Sequence, residues 1–289
     1  MTRQAAVLIA FVLALPVAAA ETQKFSSRTL GVRVDVLVTD GRGPVAGLRA
    51  SDFELRDNGV VQRVEVVAAA DVPINAILAL DTSASIRGRR QADLVSAGEA
   101  LMDGLTPVDR AALTTFSHAV TPGSGLTSDF GSVRRALRAI EPLGQTSVMD
   151  GVYVALTSTL DQSGRFLLVV CTDGSDTSSW LQPQEVLEAA KRANAVIYAV
   201  TASNTKRSEA LKDLADATGG HILQVKSSAE LRTTFQKILT EFRSRYVLAY
   251  SPEGVPPGGF HRLEITVPRR RVTVKTRPGY IGVESPKQP

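Results

Sequence analysis

The stretch LALDTSASIRG, residues 78–88, joins the end of an apolar run to an unusual group of polar side chains. The run INAILAL (74–80) has the length of a buried strand, and it stops at Asp81. Ser83 and Ser85 follow at alternate positions, so a turn leaving the strand can bring their hydroxyls and the Asp81 carboxylate towards one point. The stretch therefore predicts a strand whose carboxyl end carries a cluster of oxygen atoms.

Similar apolar runs recur further along the chain and are separated by helical patterns. The runs are RAALTTFS (110–117), RFLLVVCT (165–172) and AVIYAVTA (195–202), and the helical patterns cover 89–105, 184–193 and 228–243. Strands that are apolar on both faces and alternate with helices are typical of a mostly parallel sheet covered on both sides. We therefore predict a doubly wound α/β domain over residues 73–243. The hairpin at HAVTPGS (118–124) predicts one antiparallel edge strand.

Both flanks of this domain have the pattern of short β-strands. The first flank contains GVRVDVLVTD (31–40), a turn at 57–59 and the strand-like run VVQRVEVV (60–67). The second contains RYVLAYSP, HRLEITVP and RVTVKT. About three strands at each end bury too little apolar surface to be stable alone. We therefore predict that residues 21–72 and 244–289 pair into a small β-sandwich flanking the α/β domain.

The first twenty residues, MTRQAAVLIAFVLALPVAAA, have the pattern of a secretory signal peptide. Arg3 precedes an apolar stretch, and Ala18 and Ala20 have the spacing of a cleavage site. A membrane anchor is the alternative, but the apolar stretch is shorter than the roughly 20 residues that a span needs. No later segment has the pattern of a membrane span. We therefore predict export, to the periplasm or out of the cell, after cleavage at Ala20.

The charge pattern argues against a nucleic-acid partner. Lys and Arg number 33 against 29 Asp and Glu, which gives a net charge of +4. The basic residues are spread along the chain, and no basic patch interleaved with aromatic residues accompanies them. Cys171 is the single cysteine, so no intramolecular disulfide can form, and its apolar neighbours predict a small buried side chain.

A second strand end repeats the arrangement at Asp81. VVCTDGSD places Asp173 directly after an apolar run, and neighbouring parallel strands would bring the two carboxylates together. Such a pair repels unless a cation lies between its members. Hydroxyl and carboxylate oxygens are hard ligands that favour Mg²⁺, with Mn²⁺ or Ca²⁺ as alternatives. His118, His221 and His261 are isolated and are not expected to be ligands. Helix capping by residues 81–85 is the competing interpretation.

These residues resemble a known family. Asp81-Thr82-Ser83-Ala84-Ser85 is similar to the DxSxS signature of von Willebrand factor type A domains, their metal-ion-dependent adhesion site. LGQTSVMDGVYVAL (143–156) resembles the family's second loop, and CTDG (171–174) resembles its third element. The resemblance implies a Rossmann-like fold and the following metal ligands: Asp81, Ser83, Ser85, Thr146 and Asp173.

The flanks carry a narrower likeness, to the bacterial exported proteins described as VWFA-related Acidobacterial domain proteins. This likeness concerns VLVTDGRGPVAGLRASDFELRDNGVVQRV before the domain and YVLAYSP, FHRLEITVP and VKTRPGYIGV after it. One family feature is different. Integrin-type domains place an acidic pair after the serines and bind an adjacent Ca²⁺ there. Ile86-Arg87-Gly88-Arg89-Arg90 stands at that place, so no second metal is expected.

The resemblance implies binding rather than catalysis. The expected partner is a protein that presents an Asp or Glu side chain to the cation, and the oligomeric state is left open. Two alternatives remain. One is a metal-dependent hydrolase or phosphatase, although the sequence has neither a phosphate-binding Gly-Lys-Ser/Thr loop nor a GxSxG elbow. The other is a structural scaffold whose site has lost its ligand.

Overall fold

A computed structural model describes residues 31–69, 72–160, 162–202 and 208–282 of the chain. The described residues from Gly31 onward belong to one compact unit. The predicted signal peptide, residues 1–20, lies outside the described residues. Within the described ranges, no helix has the length and apolar character that crossing a bilayer requires.

A six-stranded sheet forms the centre of the α/β part. Its strands, β6 to β11, are Ile74–Asp81, Arg110–Phe116, Val120–Thr127, Arg165–Thr172, Ala195–Ala202 and Ile222–Val225. Their order across the sheet is β11-β10-β9-β6-β7-β8. All neighbours are parallel except β8, which pairs antiparallel with β7. The predicted parallel sheet and its antiparallel edge are confirmed.

In the part of the chain that the structure describes, six α-helices cover the two faces of this sheet. Helices α1 to α6 are Arg89–Asp103, Phe130–Arg138, Val148–Thr157, Pro183–Arg192, Glu209–Thr218 and Leu231–Arg243. The apolar residues of α1, α2 and α6 pack on one face together with Leu78 and Leu80 of β6. Those of α3, α4 and α5 pack on the other face with Ile77 and Ala79. Because successive strand residues face opposite sides, β6 is buried along its whole length.

The terminal segments form two further sheets, both antiparallel. Strands β1 to β5 are Val32–Asp40, Gly43–Pro44, Glu54–Asp57, Val60–Gln62 and Glu65–Val67, and β12 to β15 are Tyr246–Tyr250, Gly259–Thr266, Thr273–Lys275 and Gly279–Gly282. One sheet has the order β14-β1-β12-β5 with β2 on β1, and the other has the order β15-β13-β3-β4. A single apolar cluster contains residues of both sheets, including Val36, Leu55 and Ile265.

Some elements differ from the sequence-based expectation. The run VVQRVEVV is not one strand: it breaks at residues 63–64, so that β4 pairs with β3 in one sheet and β5 pairs with β12 in the other. The sequence patterns do not indicate helices α2 and α5 or strand β11. Each of these three elements has ten residues or fewer, so its pattern is short.

A buried polar cluster stabilises the sheets of the terminal segments. Asp57 has no exposed surface, and its carboxylate accepts hydrogen bonds from the hydroxyls of Tyr250 at 2.8 Å and Tyr280 at 2.9 Å. His261 Nδ1 lies 2.8 Å from the same carboxylate. Burial raises the pKa of Tyr280 to about 12, so its hydroxyl keeps the donated proton. Asp57, which the sequence indicates as a turn residue, is the end of β3 and a buried acceptor.

An ion pair connects the terminal sheets to the central sheet. Arg165, the first residue of β9, lies 2.6 Å from the Asp35 carboxylate of β1 and also donates to the Phe242 carbonyl at 2.8 Å. The arginine side chain is 3% exposed and the aspartate side chain 11%. The contact fixes the amino end of β9, whose carboxyl end carries the candidate site. The predicted boundaries at 72/73 and 243/244 stay predictions.

Candidate metal site at the carboxyl edge of the central sheet

The candidate site lies where β6 and β9 end side by side. These two strands are parallel neighbours, with Leu80 opposite Cys171. The last residues of the two strands, Asp81 and Thr172, therefore lie at the same edge of the sheet, and Asp173 follows directly. This is the edge at which open α/β sheets bind their ligands.

Asp81 is the buried end of the site. It is 1% exposed, and its carboxylate accepts a hydrogen bond from the Ser83 amide at 2.8 Å and one from the Thr172 hydroxyl at 2.6 Å. Burial raises the pKa of the Asp81 carboxyl, and these hydrogen bonds offset only part of that effect. A desolvated carboxylate of this kind gains from an adjacent cation.

The two serines connect Asp81 to Asp173. Ser83 Oγ and Ser85 Oγ are 3.0 Å apart, and Ser85 Oγ donates to Asp173 Oδ1 at 2.7 Å. Ser83 is buried, whereas Ser85 is exposed and the Asp173 side chain is 20% exposed. Hydrogen bonds therefore connect Asp81 inside the protein, by way of the Ser83 amide and the two serine hydroxyls, to residues at the solvent.

The loop before α3 brings Thr146 beside these residues. The Leu143 amide donates to the Thr82 carbonyl at 2.9 Å, and the Ala84 amide donates to the Gly144 carbonyl at 3.1 Å. The Thr146 carbonyl in turn accepts from the Thr177 amide at 2.9 Å, in the loop after β9. Three loops thus meet at one place.

Thr146 faces the residue that follows Asp173. Its hydroxyl oxygen lies 3.7 Å from the position that a Cβ atom on Gly174 would occupy. The structure therefore joins Asp81, Ser83, Ser85 and Asp173 by hydrogen bonds and places Thr146 next to them. That these five residues bind a metal stays a prediction.

Arg90 is a charged residue of the site whose role sequence reasoning missed. Its Nη1 lies 2.9 Å from Asp173 Oδ2 and 3.3 Å from the Ser85 carbonyl. The sequence indicated only that arginines stand where some relatives have acidic residues. Residue spacing gives no signal for this contact, because the contact depends on the turn into α1.

The loop after β9 presents an aromatic side chain that was also missed. Trp180, the single tryptophan of the chain, is 90% exposed. The loop is held in place because the Asp150 carboxylate of α3 accepts hydrogen bonds from the amides of Trp180 and Leu181. An exposed tryptophan on a fixed loop is suited to contact a partner.

The donor set fits a hard divalent cation. It consists of two carboxylates and three hydroxyls, and these are ligands of Mg²⁺, Mn²⁺ and Ca²⁺. In the ranges that the structure describes, no group of three or more His, Cys, Asp or Glu side chains is placed to hold a metal. A site in this part of the chain would therefore depend on hydroxyl and carboxylate oxygens together.

A doubly wound α/β domain with an oxygen-rich cluster at the carboxyl edge of its sheet is the class of protein that these observations define. The model of the von Willebrand factor type A domain family matches residues 75–237. The chain belongs to this family, as the resemblance indicated. A search of curated protein sequences found no match.

Solved structures share the fold at low sequence identity. A von Willebrand factor type A protein from Catenulispora acidiphila has a TM-score of 0.55 and 13% identity, over 89% of this chain and 75% of that chain. Proximal thread matrix protein 1 from the mussel byssus has a TM-score of 0.54 and 14% identity, over 64% of this chain and 49% of its own length. A second structure of the mussel protein, with a zinc-occupied MIDAS motif, has a TM-score of 0.53 and 16% identity, over 64% and 49%. The chain thus spans about half of the mussel protein.

Proposed function

We propose that this chain is an exported module that binds another protein through a divalent cation. The cation would be held by oxygen atoms from the three loops: Asp81, Ser83, Ser85, Thr146 and Asp173. The observation that carries the proposal is the chain of hydrogen bonds that links the buried Asp81, through the Ser83 amide and the two serine hydroxyls, to Asp173. Capping of a helix explains one such residue, but it does not explain oxygens from separate loops at one place.

The solvent-facing end of the cluster supports a role in binding. Two carboxylates balance the charge of a dication, and Ser85 and Asp173 bring its neighbourhood to the surface. A bound dication supplies an electrophilic centre that attracts a carboxylate. An Asp or Glu side chain of the partner is therefore the expected ligand. Mg²⁺ suits the small hydroxyl ligands best, and Mn²⁺ and Ca²⁺ are compatible. Zn²⁺ should also be tested, because a structure of the mussel protein has a zinc-occupied MIDAS motif.

Metal binding is tested by calorimetry with matched serine variants. We expect Mg²⁺ or Mn²⁺ to bind the wild-type chain, and Asp81→Ala and Ser85→Ala to weaken binding at least about tenfold. Ser85 is exposed, so removing its hydroxyl should weaken metal binding without destabilising the fold. Ser163→Ala, at an exposed position before β9, is the control and should bind like the wild type. Equal heats of binding from the wild type, Asp81→Ala and Ser85→Ala would contradict the proposed metal site.

The partner is tested by capture in the presence and absence of a chelator. A specific protein should bind in Mg²⁺ and be released by EDTA, and Asp81→Ala should capture none of it. Trp180 fluorescence gives a second signal, because its loop begins at Asp173. A partner that binds equally well in EDTA contradicts the cation-dependent mechanism.

Metal-binding and turnover measurements distinguish the proposed module from two alternatives, an inactive scaffold and an enzyme. A scaffold with an inactive site is favoured by the Arg90 guanidinium, which already gives Asp173 a cationic neighbour. It predicts no metal binding by the wild type. A hydrolase or phosphatase predicts turnover of a phosphate or carboxylic ester that Asp173→Ala abolishes. The proposed module predicts metal binding without turnover.

We also propose that the terminal segments 21–72 and 244–289 form one β-sandwich that supports the α/β domain, residues 73–243. The apolar cluster shared by their two sheets supports this. Cleavage of residues 1–20 during export belongs to the same proposal, and it is supported by the leader pattern. Mass spectrometry of the exported chain should find Glu21 as the new amino terminus.

A further inference from the structure

A crevice of about 140 Å³ adjoins the oxygen cluster on the side of α1 and α6. The start of α1, the carboxyl ends of β9, β10 and β11, and the start of α6 form its walls. Asp81 and Asp173 line the same crevice. A carboxylate that reached a cation at the cluster would therefore lie beside this space, within reach of whatever else the ligand carries.

Aliphatic side chains form one part of the crevice wall, and polar or charged side chains form the rest. The larger apolar side chains of the lining are Ile86, Leu94, Val200, Val225 and Leu231. All five belong to the apolar cluster that fills this face of the sheet. Water over this aliphatic part of the wall has few hydrogen-bond partners, so an apolar group that displaces it there gains free energy. The volume accommodates several water molecules or one aliphatic side chain.

The rim of the crevice is basic. Arg90 and Lys226 line it from opposite elements, and both are exposed. Arg87 and Arg89 lie next to Arg90 in the chain and are exposed as well. This positive charge complements an acidic segment and steers it towards the site. The apolar group that enters the crevice would therefore belong to a negatively charged stretch of the partner.

We propose that the crevice binds an aliphatic side chain of the partner, of the size of valine or leucine, adjacent in sequence to the carboxylate that meets the cation. The inference rests on the proposed function and specifies its ligand as an acidic residue next to an aliphatic one. The cation supplies the attraction for the carboxylate. The crevice supplies the selection among acidic segments.

The test compares blocked tetrapeptides on the full chain in saturating Mn²⁺. The peptides GDLG and GLDG carry leucine on either side of aspartate, GDGG lacks the leucine, and GNLG lacks the carboxylate. Calorimetry should show that at least one leucine-containing aspartate peptide binds about tenfold or more tighter than GDGG, as burial of an aliphatic side chain predicts. GNLG should bind much more weakly.

A crevice-filling variant gives the matched control. Ser227 lines the crevice, is exposed and makes no side-chain capping bond, so Ser227→Trp fills the space without removing a structural contact. Ala229, exposed on the same short turn and outside the crevice lining, gives the control Ala229→Trp. Ser227→Trp should lose the preference for leucine while keeping its Mn²⁺ and GDGG affinities. Ala229→Trp should keep all three.

The outcomes separate this inference from the proposed function. Equal binding of GDLG, GLDG and GDGG, with Mn²⁺ still required, overturns the crevice but leaves the cation mechanism standing. A leucine preference that survives in Ser227→Trp also overturns the crevice. Equal binding of GNLG and GDLG would show that the crevice binds leucine without a carboxylate at the cation, and it would overturn the proposed paired recognition. No metal-dependent binding of any aspartate peptide overturns both proposals.

Discussion

The Arg90 guanidinium lies 2.9 Å from Asp173 Oδ2, on the solvent side of the oxygen cluster. Two positive charges near one carboxylate repel each other, so the guanidinium opposes the entry of a dication. We expect Arg90→Ala to bind Mn²⁺ about two- to fivefold tighter, because the Arg90 side chain is 57% exposed and its field is screened. Calorimetry measures the change.

The neighbouring arginine provides the control for this prediction. The Arg89 side chain is 87% exposed and contacts Asp93 at 4.0 Å instead of a residue of the cluster. Arg89→Ala should therefore leave the Mn²⁺ affinity within twofold of the wild type. Weaker Mn²⁺ binding by Arg90→Ala would mean that the guanidinium holds Asp173 in place for the cation instead of competing with it.

Gly144 fixes the loop that carries Thr146. Its φ is +78°, and a Cβ atom there would clash with the His118 ring. Gly144→Ala should lower the free energy of unfolding by about 1 kcal/mol, because an L-residue is strained at this φ. It should also weaken Mn²⁺ binding severalfold as the loop moves. Urea denaturation and calorimetry measure these two effects.

Gly125→Ala is the control for the loop variant. Its φ is not positive, and no heavy atom lies within 4 Å of the position that a Cβ atom would occupy, so stability and Mn²⁺ affinity should both stay unchanged. An unchanged Mn²⁺ affinity in Gly144→Ala would indicate that Thr146 does not contribute to metal binding.

The residues of the site differ in how far the sequence could predict them. Local patterns were enough to predict four of the proposed ligands. These patterns are the alternate spacing of Asp81, Ser83 and Ser85 and the strand end at Asp173. Thr146 came only from the family resemblance, because a threonine in a polar loop has no local pattern of its own. Arg90 reaches the site through the turn into α1, a geometry that residue spacing does not specify.

At the scale of elements, the long apolar runs of the central strands gave the clearest signals in the sequence. The apolar runs of β6, β7, β9 and β10 have seven or eight residues each and are clear signals. Strand β11 has four residues and two of its side chains are only half-buried, so its pattern is weak. Helix α2 buries only Val133 and Leu137 among its nine residues. The break between β4 and β5 is a change of sheet, which alternation along the chain does not reveal.

Asp109 joins three elements at the amino end of the central sheet. It is 2% exposed and accepts hydrogen bonds from the Ile74 amide, the Thr106 amide and Arg243 of α6, each at 2.8 Å. Burial alone would raise the pKa of Asp109, but these hydrogen bonds outweigh it and lower the pKa. The ionised carboxylate is therefore stabilised in the folded state.

Asp109→Asn should lower the free energy of unfolding by about 2 kcal/mol at neutral pH, because the amide nitrogen faces donors. The pH dependence follows from the lowered pKa. The contribution of Asp109 is complete well above its unfolded value of 3.8, and it is lost as pH falls through the lower folded value. Urea denaturation from pH 7 to pH 3 should therefore show the wild type and the variant converging in acid.

Asp103→Asn is the control for this pH series. Asp103 is 55% exposed and pairs with Arg134 at 2.9 Å at the surface, so its loss should cost less than about 1 kcal/mol. A difference between wild type and Asp109→Asn that stays constant from pH 7 to pH 3 would contradict the assigned pKa direction.

At the scale of the whole molecule, the contact between Asp35 and Arg165 couples the terminal sheets to the central sheet. Arg165 is 3% exposed, and it stacks over the Phe242 ring at 4.5 Å. Asp35 is the acidic partner that compensates this buried charge. The two residues are 130 positions apart, so no local pattern in the sequence indicates the pair.

Asp35→Asn should destabilise the chain by about 3 kcal/mol, because it leaves a buried guanidinium without its counter-charge. Urea denaturation measures the loss, and hydrogen exchange measured by mass spectrometry locates it. Peptides from β1, β12 and β13 should exchange faster, and those from β6 and β9 should change less. Glu54→Gln, which removes a pair with Arg56 whose side chains are 40% and 43% exposed, should cost less than about 1 kcal/mol. Equal stability of Asp35→Asn and wild type would show that apolar packing alone couples the terminal sheets to the sheet that carries the site.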